Sequence, residues 1–330
     1  MLTIDTHTHI IPAELPDFSK EFGYGKFITL HHHQSRKAWM MQGTKKFREI
    51  DINCWDVSVR LEEMDKFQID IQVLSTVPVL FSYWAKPQDG LKVARFLNDH
   101  IAGILQKYPQ KFIGLATVPL QDIALSIQEL ERCKSLGFKG VQIGSNVNQQ
   151  NLTEQAYGEF FAACESLNMA IQIHPWEMMG QEHITKYWLP WLVGMPAETA
   201  RAIAYMIFSG VFDKHPNLRV CFAHGGGSFI PTIGRIEHGW ECRPDLVAID
   251  NPHNPRNYLG KFWVDSHTCD HKLLKYILDE IGSEKIVQGS DYPFPLGEAI
   301  PGHLVRTAPI SEKDKENIMY FAPKKWLGLI

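Results

Sequence analysis

From residue 57 onward the chain repeats one pattern, a stretch with helical spacing followed by a short apolar run rich in β-branched residues. Val57–Phe67 leads to Ile69–Thr76, helix 88–107 to Phe112–Val118, helix 121–136 to Val141–Gly144, and helix 154–167 to Ala170–His174. A long aromatic-rich loop reaches residue 195. Helix 197–213 then leads to Leu218–Ala223, helix 229–240 to Phe262–Asp265, and helix 271–281 to Lys285–Gly289, before a closing helix at 311–320. With the strand at residues 2–9 in front, the count is eight strands alternating with helices. Strands joined through helices run parallel, and eight such units close on themselves. The pattern therefore predicts α/β architecture, a (β/α)₈ TIM barrel in one domain spanning 1–330. No G-x-G-x-x-G follows the first strand, which counts against an open dinucleotide-binding sheet.

One segment breaks the pattern. Residues 12–56 carry Pro12, Pro16, the turn Phe22-Gly23-Tyr24-Gly25 and the run His31-His32-His33, without a clean helical or strand period. They read as an insertion after the first strand that covers the barrel mouth, with room for short strands of its own. Adjacent residues of a strand cannot all face one way. The histidine run therefore reads as a solvated or packed loop before it reads as a second metal site.

In a barrel of this kind, chemistry sits at the C-terminal ends of the strands. His7-Thr8-His9 places two imidazoles on one face of the first strand, since residues two apart project together. Strand five ends in His174-Pro175-Trp176, strand six in His224-Gly225-Gly226-Gly227, and strand eight runs into Asp291-Tyr292-Pro293. Any one of these histidines alone is better read as a structural residue. Four strands delivering such groups to one face point to a metal or catalytic site. His7, His9, His174 and Asp291 make an N₃O set suited to Zn²⁺, with one position left for water whose pKa falls toward neutrality. His224 is then free to act as the acid/base. A second metal in such barrels needs a bridging lysine at the end of strand four. That strand ends Gly144-Ser145-Asn146, and Lys139 precedes it at the opposite mouth, so one metal per subunit is expected. The glycines 225–227 match no phosphate loop, and their expected role is to let backbone pass close under the metal and substrate.

The chain resembles the amidohydrolase-superfamily decarboxylases, end to end. The resemblance rests on Asp5-Thr6-His7-Thr8-His9, Asn53-Cys54-Trp55-Asp56, Gln72 through Val79, Gly140 through Gly144, and His174-Pro175-Trp176. More specific are Trp188 through Thr199 and Gly289-Ser290-Asp291-Tyr292-Pro293-Phe294-Pro295-Leu296-Gly297-Glu298. It implies zinc-dependent, oxygen-independent loss of CO₂ from a small dicarboxylate semialdehyde of tryptophan catabolism, with metal-bound hydroxide as nucleophile and His224 moving the proton. It also implies Arg48 and Arg235 for the substrate carboxylates, which planar guanidinium forks match. From the residues alone each is a surface charge. Trp188 and Phe294 are implied as pocket walls, with core packing as the plain alternative. The resemblance further implies a homodimer in which Arg235, on helix 229–240 and past its first turn, serves the neighbouring subunit. Trp188, Trp191, Phe229 and Trp240 are candidates for the interface or equally for core. Two rival readings stand beside this one: a lactone or amide hydrolase on the same metal scaffold, and a non-catalytic metal-binding barrel.

Composition excludes other classes. A net charge of −4 offers no footprint for nucleic acid, and no apolar run reaches the length of a membrane span. The six cysteines form no C-x-x-C pair and read as reduced thiols. With a strand directly at the start and no leader ahead of it, a cytoplasmic protein is expected.

Overall fold

The computed structural model describes residues 2–330. Eight parallel strands form one sheet: β1 (Ile4–Ile10), β2 (Ile71–Thr76), β3 (Phe112–Ala116), β4 (Gly140–Gly144), β5 (Ala170–His174), β6 (Val220–Phe222), β7 (Trp263–Asp265) and β8 (Ile286–Val287). Each pairs with the next in chain order. Closure between β8 and β1 is carried by Thr6 N–H to the Gln288 carbonyl (2.8 Å), His9 N–H to the Tyr292 carbonyl (2.8 Å) and a bridge between Thr8 and Tyr292. The sheet is thus a barrel, as the alternation predicts.

The main helices are α1 (Val57–Phe67), α2 (Pro87–Lys107), α3 (Ile123–Ser135), α4 (Glu154–Ser166), α5 (Met195–Phe208), α6 (Ile233–Cys242) and α7 (His271–Ile281). Their starts are written locally. Asp56, Asp122, Thr153 and Asp270 each accept from backbone N–H groups of the first turn, satisfying donors that the helix leaves free. Each helix then lays its apolar face on the barrel, so that Ile101 of α2, Phe160 of α4 and Leu274 of α7 are fully buried in one core.

Three of the expected helices need correction. Helix 197–213 is broken: α5 ends at Phe208, and Gly210 at φ 79° turns the chain into a separate short helix, Val211–Lys214. Helix 229–240 begins as a 3₁₀ turn at Ile230–Thr232, so α6 starts at Ile233 and Arg235 lies in its first turn, not past it. The closing helix does not end near residue 320 but runs on from Glu312 to Leu327, widening into a π-helical turn at Asn317–Phe321.

Between β1 and α1 lie a short helix, Phe18–Phe22, and a three-stranded antiparallel meander, Ile28–Gln34, Lys37–Gln42 and Lys45–Asp51. The run His31–His33 is therefore strand and not loop, with His31 opposite Trp39 and His32 opposite Ala38. Cross-strand pairing overrides the lack of a clean period. The alternation turns His33 onto Trp39, ring centroids 5.5 Å apart, and His32 onto Trp55 at 4.9 Å. A small core of its own, with Phe27, Ala38, Met40 and Ile50, joins the meander to Val77, Val79 and Leu80 after β2.

Candidate metal centre

Alternation along β1 turns Asp5, His7 and His9 into the barrel, one above another, and all are buried. His174 ends β5, and Asp291 follows β8 in left-handed conformation (φ 58°). One ligand atom from each of His7, His9, His174 and Asp291 lies within 4.8 Å of the other three. The Nε2 atoms of His7 and His9 are 3.1 Å apart, and Asp291 Oδ1 lies 3.1 Å from His9 Nε2 and 3.4 Å from His7 Nε2.

The outer face of each ring decides what the inner face offers. His7 Nδ1 donates to Asp265 Oδ2 (2.7 Å), His9 Nδ1 donates to the Thr76 carbonyl (3.1 Å), and His174 Nδ1 donates to the Pro175 carbonyl (3.0 Å). Each neutral ring then carries its lone pair on Nε2, aimed at one point beside Asp291. His174 Nε2 is buried there with no protein partner. Three lone pairs and a carboxylate facing one another repel unless a cation lies between them, so these residues fit a divalent metal ion.

Electrostatics agree with the geometry at His174 and His9. Burial, then the neighbouring His224, His7 and His9, hold His174 well below the ordinary histidine range. Burial also lowers His9. At His7 burial pulls the same way, but the hydrogen bond to Asp265 and the charge of Asp291 outweigh it, and the net shift is upward. Burial would raise Asp291, yet the facing His224 and His9 imidazoles keep its carboxyl well below the usual range.

His224 sits beside this set. Its Nε2 is 3.7 Å from Asp291 Oδ2, and its ring centroid is 5.0 Å from that of His174. Its backbone is left-handed (φ 57°), a strained state for a residue with a Cβ. Asp265 holds it there, because its carboxylate accepts N–H groups from His224 and Gly225, each at 3.0 Å. The glycines that follow are required by close packing: a Cβ on Gly227 would stand 2.3 Å from the Pro196 carbonyl, and one on Gly225 2.7 Å from Thr268.

A chamber opens over the four clustered residues. Arg48, from the meander strand Lys45–Asp51, lines it with His9, His174, Asp291, Trp188, Trp191 and Phe294. The Arg48 guanidinium lies over the Phe294 ring (4.9 Å) and near Trp191 (5.6 Å). Burial lowers its pKa and Asp291 opposes that. Phe294 also approaches the His9 ring at 5.6 Å. Trp188 lines the chamber although it is 43% exposed. Arg235 is not brought to this chamber by its own chain; its side chain is exposed on α6. Of the aromatic interface candidates, Phe229 is fully buried in the main core, and its role is packing.

Asp265 is the residue that sequence reasoning passes over. The strand Phe262–Asp265 ends in a carboxylate at the same mouth, the very signal that singles out Asp291. Trp191 is likewise read from sequence as an interface or core residue, whereas it forms part of the chamber wall.

An amidohydrolase family model matches residues 4–329. A 2-amino-3-carboxymuconate-6-semialdehyde decarboxylase of Dictyostelium discoideum is 55% identical over 99% of this chain and 92% of its own length. A protein of the same name from Caenorhabditis elegans is 36% identical over 99% of this chain and 94% of its own. A crystal structure of a dihydroxybenzoic acid decarboxylase from Polaromonas sp. JS666, with bound manganese and an inhibitor, superposes with a TM-score of 0.78. It covers 99% of this chain and 97% of that one at 22% identity, a likeness of fold.

Proposed function

Because the chain belongs to the amidohydrolase family, we propose that its buried N₃O cluster serves the non-oxidative decarboxylation of 2-amino-3-carboxymuconate 6-semialdehyde. The products are 2-aminomuconate 6-semialdehyde and CO₂, in tryptophan and kynurenine catabolism. One observation carries this reading: the Arg48 guanidinium faces the same chamber as His9, His174 and Asp291, in a chain 55% identical to a decarboxylase of that name. The whole of 1–330 is taken as one metal-dependent barrel domain, with 12–56 covering its mouth.

His7, His9, His174 and Asp291 are the residues that would hold one zinc ion per subunit. Neutral imidazoles with a single carboxylate suit that cation, and theirs is the only such cluster among the described residues. In this setting a divalent cation supplies Lewis-acid activation of a nucleophile. The neighbour with bound manganese makes the identity of the metal a direct question for elemental analysis.

The chain's own residues do the rest. Arg48 pairs with a substrate carboxylate and orients the molecule so that the departing carboxyl faces the cluster. Phe294 and Trp188 wall the chamber and exclude water. His224 takes a proton at Nε2 and returns it to the carbon that loses CO₂, so one C–C bond breaks and one C–H bond forms. Asp265 keeps His7 and the His224 backbone in place for this.

The active unit in this reading is a homodimer, with Arg235 reaching the substrate bound by the partner. Its support is the exposed Arg235 on α6 and the solvent-facing apolar side chains of the segment before α5, Tyr187, Leu192 and Val193. A cytoplasmic setting suits six cysteines that form no disulfide. No helix is long and apolar enough to cross a membrane.

The test is to supply the semialdehyde and follow its ultraviolet absorbance together with trapped CO₂. Release of one CO₂ per substrate consumed is expected. Turnover without CO₂ would identify a lactone or amide hydrolase on the same scaffold, and the decarboxylase reading would be wrong.

A further inference from the structure

Behind the cluster lies a charged side chain that the proposed chemistry does not use. Arg60, on α1, has no solvent exposure, and its four hydrogen bonds all go to neutral oxygens. One terminal nitrogen donates to Gln72 Oε1 (3.0 Å) and Thr8 Oγ1 (3.4 Å). The other donates to the carbonyls of His9 and Asn53, the latter at 3.2 Å. The face of the guanidinium lies 4.8 Å from the Tyr292 ring. One turn further along α1, Glu63 accepts from the Tyr292 hydroxyl and from Asn53 Nδ2 (3.1 Å).

A buried guanidinium is costly to place, and a fold that needed only bulk here would use an apolar side chain. What Arg60 provides is reach. Its planar fork touches three segments that are remote from one another in sequence: β1 at His9, the turn Ile52–Cys54 directly after the meander at Asn53, and the segment after β8 at Tyr292. Asn53 lies five residues past Arg48, and Tyr292 stands between Asp291 and Phe294. A lysine ammonium is a point donor and cannot hold both carbonyls in one plane.

We propose that Arg60 is a positioning residue, the clamp that sets the meander, and with it Arg48, at a fixed distance over His9 and Asp291. It touches no substrate and acts through Arg48. The kinetic part of its test rests on the decarboxylase reading above; the exchange part does not.

The experiment compares the parent with Arg60→Lys, Arg48→Met and the double variant, all as metal-loaded full chains. Hydrogen exchange should show the meander amides, residues 28–51, exchanging at least about tenfold faster in Arg60→Lys, with β4 and β5 unchanged. Metal content should stay at the parent value. KM for the semialdehyde should rise about tenfold or more with kcat changed less than about threefold, the signature of misplaced ground-state binding. Added to Arg48→Met, Arg60→Lys should cost less than a further threefold or so, because the residue it acts through is already gone. Unchanged exchange in the meander overturns the proposal. So does an Arg60→Lys chain that fails to fold or loses protection throughout the barrel, since the guanidinium then serves the whole fold. Losses that multiply with those of Arg48→Met overturn it as well. If the parent releases no CO₂, the proposed function falls and the exchange result alone decides for Arg60.

Discussion

Asp265 and His7 meet at 2.7 Å, and through that contact the seventh strand orients an imidazole on the first. The carboxylate is fully buried and also accepts N–H groups from His224, Gly225 and His267, each at 3.0 Å. Burial alone would raise its pKa, but His7 and its neighbours bring it below the ordinary value, so it stays ionised. Asp265→Asn puts an amide where two oxygens now accept and lets His7 turn. A loss of about 10–100-fold in metal affinity is expected, read by titration against a competing chelator.

His174 and His224 are neighbours with different roles in the proposed site, and truncation separates them. His174→Ala removes one of four converging ligand atoms and should be recovered largely without metal. His224→Ala should keep about one metal per chain and lose about 10²–10⁴-fold in rate, the usual contribution of a general acid/base. Elemental analysis beside the activity assay checks both. Two metals per active chain, or a metal-free His224→Ala, would contradict the assignment.

Arg235 can be tested by complementation. Inactive His224→Ala and Arg235→Ala chains are mixed in equal amounts and allowed to exchange subunits. If Arg235 serves the partner, each mixed dimer carries one site with both defects and one intact site. Random pairing makes half the dimers mixed, so about a quarter of parental activity should return. If the arginine serves its own chain, or only decorates the surface, the mixture stays inactive.

Glu298 gives the chain a pH-dependent liability. Burial, and then the neighbouring Asp5 carboxylate, push its carboxyl up to about 8. In the unfolded chain it ionises near 4.5, so the unfolded state releases this proton first as pH rises. Stability present below pH 4.5 is therefore progressively lost up to about pH 8. Glu298→Gln removes that term. Its melting temperature should exceed the parent's by about 2 °C or more at pH 8 and match it near pH 4.5. A constant difference across that range would show a packing effect instead.

How much of this was legible in the chain divides along the range of the forces involved. Strand and helix order and the delivery of His7, His9, His174, His224 and Asp291 to one mouth follow from the sequence. Periodicity acts over a few residues, and barrel topology then places every strand end on the same face. The meander at 28–51 was not legible, because its strands are defined by their cross-strand partners and not by their own period. The same holds for what tunes the centre. That His7 donates to Asp265, that Asp265 also pins the His224 backbone, and that Arg60 joins His9 to Asn53 and Tyr292 are contacts across 258, 41, 51, 7 and 232 residues of chain. Such contacts carry no local signature. They come into being only when closure of the barrel brings β7, β8 and α1 against β1, and only there does burial make a single carboxylate or guanidinium count.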